Sequence, residues 1–125
     1  MPPLVLVVDD SMLIRHIVCR FLEARGFEVE SAINGAEALE RVAVNRPALI
    51  IADLEMPWMS GLELMAALQS RSETAAIPVV LLAGRRGESN AALDTRARCV
   101  IHKETDIEAQ LEKALAAVLG QRTAG

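Results

Sequence analysis

Four short apolar runs punctuate the chain, and longer stretches of helical periodicity separate them. Leu4-Val5-Leu6-Val7-Val8, Ala48-Leu49-Ile50-Ile51-Ala52, Val79-Val80-Leu81-Leu82-Ala83 and Cys99-Val100-Ile101-His102 have the length of buried strands in a parallel sheet. A fifth segment, Glu28-Val29-Glu30-Ser31-Ala32, alternates charged with small or apolar residues, as a half-exposed edge strand does. Between these runs the apolar spacing changes to that of helices. Ile14, Val18, Phe21 and Leu22 share one face ahead of a stop at Gly26, and Asn34-Gly35 opens a helix carrying Ala38, Leu39, Val42 and Ala43. Leu62, Leu64, Met65 and Leu68 form the next stripe, and Ile107, Leu111, Leu115, Val118 and Leu119 the last, behind a cap at Thr105 or Asp106. Residues 84–98 hold Gly84, Gly87 and one large apolar residue, Leu93, so the crossover helix expected there is short or mobile.

Strands alternating with helices predict an α/β domain. The edge-like second strand, with right-handed crossovers, favours the strand order 2-1-3-4-5: a flavodoxin-like doubly wound sheet of five parallel strands with five helices. One domain is expected over residues 1–120, with a polar tail at 121–125.

Composition narrows the class. The chain has 125 residues, 52% of them hydrophobic, and three aromatics, Phe21, Phe27 and Trp58, so its core is aliphatic. Cys19 and Cys99 lie in apolar patterns, which argues against a disulfide framework and for a reducing compartment. The segment after Met1-Pro2-Pro3 has neither the basic start nor the cleavage site of a signal peptide, and no apolar stretch has the length of a membrane span. The expectation is a soluble cytoplasmic domain with no membrane partner. A net charge of −4 argues against direct nucleic-acid binding. Residues 83–103 nevertheless carry five Lys and Arg against Glu88 and Asp94, which is either a solvated face or a docking patch for an acidic partner.

The candidate chemistry lies at the ends of the runs. Asp9 and Asp10 follow the first, Asp53 ends the third in chain order, and Lys103 closes the last. In an open α/β sheet ligands bind at the carboxyl ends of the strands. Three converging carboxylates repel unless a cation neutralises them, and an all-oxygen set suits Mg²⁺. The lysine is then the counter-charge for an anion that arrives with the metal.

These residues, with Met56-Pro57 and Gly61, resemble a response-regulator receiver domain of the CheY-like type, and the resemblance runs from Leu4 to about Leu119. It implies that Asp53 accepts a phosphoryl group from the phosphohistidine of a histidine kinase or phosphotransfer protein, or from a small donor such as acetyl phosphate. It also implies that Asp10, Asp53 and the backbone carbonyl of Glu55 coordinate Mg²⁺ directly, Asp9 through water. Lys103 would pair with Asp53 at rest and with the phosphoryl oxygens afterwards. The function expected is a phosphorelay signalling domain, not an enzyme, that signals through protein contacts to a downstream partner docking near residues 84–103.

Three positions depart from the family. Ala83 stands where receivers carry a Ser or Thr hydroxyl, and the loss of one hydrogen bond to a charged group is worth about 1.5–3 kcal/mol. Arg85 or Arg86 is a candidate to reach the phosphoryl group instead. Val100 takes the place of the aromatic switch residue. Glu104 replaces the proline that follows the lysine, so the loop is expected to be rebuilt and Lys103 displaced. The alternative function is therefore an atypical receiver acting as a largely phosphorylation-independent binding module. A small phosphatase fits less well, because Asp9-Asp10-Ser11-Met12 lacks a second acid two residues beyond the first. His16 with Cys19, three apart on a helix, is a minor zinc candidate.

Overall fold

The computed structural model describes residues 3–56, 59–84, 99–103 and 106–119, with Cys99 described by its backbone alone. Five strands, β1 (Leu4–Val8), β2 (Glu28–Ala32), β3 (Leu49–Asp53), β4 (Val79–Ala83) and β5 (Cys99–His102), form one sheet. Its order is β2-β1-β3-β4-β5 and every neighbouring pair is parallel. This is the flavodoxin-like doubly wound topology. Four helices lie within the described residues: α1 (Met12–Ala24), α2 (Gly35–Val44), α3 (Gly61–Gln69) and α4 (Ile107–Leu119). Residues 85–98, where the pattern predicts a further short helix, lie outside them, as do Trp58, Arg85, Arg86, Glu104 and the tail.

Strand alternation sorts the core into two layers. Val5, Val7, Leu49, Ile51, Val80, Leu82 and Ile101 face α1 and α4, where they meet Val18, Phe21, Leu22, Leu111 and Leu115. Leu6, Val8, Ile50, Ala52, Leu81 and Ala83 face α2 and α3, against Ala38, Val42, Leu64, Met65 and Leu68. Burying each of the large aliphatic side chains contributes about 1.5–3 kcal/mol relative to exposure. The central strands β3 and β4 are buried along their whole length, whereas β2 at one edge is largely half-exposed.

Local chemistry sets where the helices start and stop. Ser11 caps α1, its hydroxyl accepting the Ile14 N–H at 3.3 Å. Gly26, at φ 88°, ends the turn in a Schellman arrangement, with the Phe27 N–H on the Leu22 carbonyl and its own N–H on that of Glu23. Ser60 and Glu63 form a capping box on α3. Asp106 caps α4, its carboxylate accepting the Ala109 N–H at 3.1 Å. Among the described residues no helix is long and apolar enough to cross a membrane.

Candidate functional site

The register of the sheet brings the polar strand ends together. Val8 pairs with Ala52, so Asp9 comes level with Asp53. Asp53 pairs with Leu82, and Leu82 with Ile101, which sets Lys103 two residues further along on the next strand but one. Asp9 follows Val7, Asp53 follows Ile51 and Lys103 follows Ile101 in the alternation that faces α1 and α4. Three separate strands thus deliver their charges to one face at one end of the sheet.

The result is a tight cluster. Asp9, Asp10 and Asp53 each offer a carboxylate oxygen, and these oxygens lie within 4.8 Å of one another. Asp9 is 0% and Asp53 5% exposed, while Asp10 is open to solvent. The Lys103 ammonium reaches both buried acids, 3.0 Å from Asp9 Oδ2 and 3.2 Å from Asp53 Oδ2. Lys103 is therefore not displaced by the Glu104 that follows it, contrary to the expectation from sequence. Its pairing with Asp9 is new, since the resemblance implied a pair with Asp53 alone.

Each functional group of Asp9 is engaged. Its N–H donates to the Ala32 carbonyl at 3.1 Å, and its Oδ1 accepts the Ser11 N–H at 2.8 Å. Its carbonyl accepts Arg15 Nη1 at 2.8 Å. Oδ2 is buried without an aligned hydrogen-bond donor, and Lys103 meets it as a charge contact. Arg15 was not singled out in the sequence, where an arginine on a helix reads as a solvated charge. Asp53 Oδ1 accepts the Glu55 N–H at 3.3 Å, which turns the chain sharply at the strand end.

The electrostatics leave the site short of positive charge. Burial, then repulsion from Asp9, pushes the Asp53 carboxyl up to about 6, against the opposing pull of Lys103 and the Glu55 N–H. Burial acts to lower the pKa of Lys103, but the carboxylates of Asp9 and Asp53 outweigh it and hold the ammonium above its ordinary value. Among the described residues Lys103 is the cation paired with the carboxylates of Asp9 and Asp53, and Arg15 meets the Asp9 carbonyl rather than a carboxylate, so the three acids outnumber their cationic partners. The all-oxygen donor set and the buried, undonated Asp9 Oδ2 fit a small hard divalent cation.

Gly61 belongs to the site as well. A Cβ there would collide with the Asp53 carbonyl oxygen, so glycine lets α3 start against the strand end. Its N–H donates to the Leu54 carbonyl at 3.0 Å.

The sequence model of the "Response regulator receiver domain" family matches residues 5–116. The chain belongs to this family. It is 36% identical over 115 residues to "Response regulator MprA" of Mycobacterium sp. strain KMS, which covers 90% of this chain and 49% of that protein. It is 38% identical over 89 residues to the "Phosphate regulon transcriptional regulatory protein PhoB" of Rhizobium meliloti, covering 71% of this chain and 39% of that one. The receiver thus spans about half the length, or less, of these curated relatives. Among solved structures it is similar to the chemotaxis protein CheY4 of Vibrio cholerae, at 32% identity and TM-score 0.84 over 94% of this chain and 99% of that one. It is also similar to the signal receiver domain of a signal transduction histidine kinase from Syntrophus aciditrophicus, at 28% identity and TM-score 0.84, covering 96% and 92% of the two chains.

Within this receiver the departures from the family pattern have definite places. Ala83 is fully buried at the end of β4, and its carbonyl accepts the Lys103 N–H at 2.9 Å. Val100 is half-buried and packs against the same layer as Ala83. Glu55 is exposed beside Asp53. The zinc candidate does not assemble: among the described residues, Asp9, Asp10 and Asp53 form the cluster with metal-ligating geometry, and neither His16 nor Cys19 belongs to it.

Proposed function

We propose that this receiver domain is the phosphoacceptor of a two-component phosphorelay and takes the phosphoryl group on Asp53. The observation that supports this reading most is the placement of Asp53. It is a nearly buried carboxylate at the end of a central strand, with a second buried acid, an exposed acid and one lysine around it. A carboxylate raised to about 6 is still ionised at neutral pH and is a better nucleophile than an ordinary aspartate. Its oxygen forms the new bond to phosphorus. The bond from phosphorus to the donor, an imidazole nitrogen of a histidine kinase or phosphotransfer protein, breaks and leaves its electron pair on that nitrogen. Phosphoryl transfer is mainly positioning and charge neutralisation. Lys103, already beside Asp53, is placed to pair with the phosphoryl oxygens, while Asp9 holds the ammonium from the other side.

Asp9, Asp10, Asp53 and the Glu55 carbonyl are the groups that would hold Mg²⁺. When bound, Mg²⁺ supplies the divalent charge that cancels the carboxylates and screens the incoming phosphoryl group. Mass spectrometry after treatment with acetyl phosphate and Mg²⁺ tests the reading. One added phosphoryl group is expected, absent in Asp53→Asn; a modification that persists in that variant would locate the acceptor elsewhere.

A second reading, a binding module whose phosphorylation switch is weakened, is favoured by Ala83 and Val100. Both are apolar and both pack into the α2–α3 layer, so neither offers a hydroxyl that could report a phosphoryl group. A ligand shifts a conformational equilibrium only through contacts that differ between the states. Hydrogen exchange with and without beryllofluoride separates the two readings: a small difference across residues 84–103 supports the module, and a large ordered change supports a working switch.

A further inference from the structure

The lysine of the site is held from outside the sheet. β5 is an edge strand, and the Lys103 N–H donates inward to Ala83 at 2.9 Å. Successive residues of a strand turn their backbone groups to opposite sides, so the N–H and C=O of His102 face the open edge. On that edge α4 lays the carboxamide of Gln110. The His102 N–H donates to Gln110 Oε1 at 2.9 Å, and Gln110 Nε2 donates to the His102 carbonyl at 2.8 Å. The side-chain amide takes the place of a residue in an absent neighbouring strand. Nε2 also donates to the Asp106 carbonyl at 3.2 Å, and the Gln110 N–H reaches the same carbonyl at 3.2 Å. Strand end, helix start and amide are joined as one unit.

We propose that Gln110 is a positioning residue for Lys103: its amide fork fixes the His102 peptide at the edge of β5 and so aims the next side chain at Asp9 and Asp53. A side-chain amide matches a backbone N–H and C=O together at neutral pH, because it presents a donor and an acceptor side by side in one plane. The need is specific to this position. A lysine has four carbons between backbone and ammonium, and edge-strand ends fray more readily than central strands. Contacts of 3.0 and 3.2 Å to two different acids therefore require a fixed starting point. Glu104, which follows, brings none of the fixed φ of a proline. The sequence carries a trace of this role, since Gln110 is a polar residue three positions after Ile107 and four before Ala114, beside the apolar stripe of α4.

The functional part of the test rests on the phosphoacceptor reading, and a second measurement does not. Chains of residues 1–125 with Gln110→Met, which keeps the size and loses the fork, and Gln110→Glu, which accepts but cannot donate, are compared with the unmodified chain. Beryllofluoride affinity in the presence of Mg²⁺ is expected to fall about tenfold in Gln110→Met, the scale of a lost hydrogen-bond pair, with Mg²⁺ affinity alone within about twofold. In a Lys103→Met background the same substitution should add nothing, which a general loss of stability would not reproduce. Independently of any phosphoryl mimic, exchange of the Lys103 amide should accelerate in Gln110→Met while amides of β1 and β3 keep their rates, and Gln110→Glu should fall between. An unchanged Lys103 exchange rate, or an equal loss of beryllofluoride affinity with and without Lys103, would overturn the assignment. If the unmodified chain binds no beryllofluoride, the phosphoacceptor reading is lost, while the exchange measurement still decides the role of Gln110.

Discussion

The Lys103 ammonium lies closer to Asp9 than to Asp53, 3.0 Å against 3.2 Å, and Asp9 is the more deeply buried of the two acids. Asp9 is thus an anchor for the lysine as well as a candidate metal ligand. A single ammonium shared between two carboxylates also ties the end of β5 to the ends of β1 and β3.

Removing the lysine should be costly. In Lys103→Met two buried carboxylates lose the one cationic side chain that pairs with them among the described residues, and breaking a buried pair in this way costs up to about 3–5 kcal/mol, reduced here by solvent access to the ammonium. The raised pKa of Lys103 means that its stabilisation is fully present below the ordinary value of 10.5 and is lost as the pH climbs beyond it. Urea denaturation at pH 7 should show the loss, and added Mg²⁺ should recover part of it. A variant as stable as the parent would show that the pair contributes nothing.

The acid side has the opposite dependence. Asp53 titrates near 6 in the folded protein, against 3.8 for a free aspartate, so between these values the folded chain binds more protons than the unfolded one. Without metal, stability contributed through Asp53 therefore rises as the pH falls from 7 towards 5. Asp53→Asn should stabilise the metal-free protein at pH 7 by on the order of 2 kcal/mol and flatten this dependence. Thermal unfolding in a chelator at a series of pH values measures both.

Metal affinity should follow the same group. Binding a divalent cation requires ionised Asp53, so Mg²⁺ affinity should decline as the pH falls through about 6. Asp10→Asn should weaken Mg²⁺ binding with little effect on folding, because Asp10 is exposed. Titration followed by the fluorescence of the chain's single tryptophan, Trp58, reads the affinity. Equal affinity in Asp10→Asn would remove Asp10 from the ligand set.

Gly61→Ala probes the approach of α3 to the strand end. The new Cβ would collide with the Asp53 carbonyl oxygen and meet Leu81 at 3.0 Å, so either the helix or the strand end must shift. Overpacking of this kind costs about 1–3 kcal/mol. Slower phosphorylation of Asp53 should accompany the lost stability, and unchanged values of both would show that the loop absorbs the methyl group.

How far each feature could be read from sequence depends on the range over which it is encoded. The strands, the strand order and the acids at strand ends were legible because burial on both faces demands continuous apolar runs, and a charge that breaks such a run stands out. The caps at Ser11 and Asp106 are local in the same sense. The pairing of Lys103 with Asp9 is not, since the two are 94 positions apart and meet only through the register of β1, β3, β4 and β5. The sequence suggested a displaced lysine because it exposes the residue after Lys103 but not the amide that steadies the residue before it. Arg15 and Gln110 look like ordinary polar helix residues until the helices are docked, when one meets the Asp9 carbonyl and the other the edge of β5. Sequence by itself determined which chemistry could assemble at this sheet edge, because residue type and periodicity are local. Only the tertiary structure decided which groups hold one another in place, because that depends on distances between segments far apart in the chain.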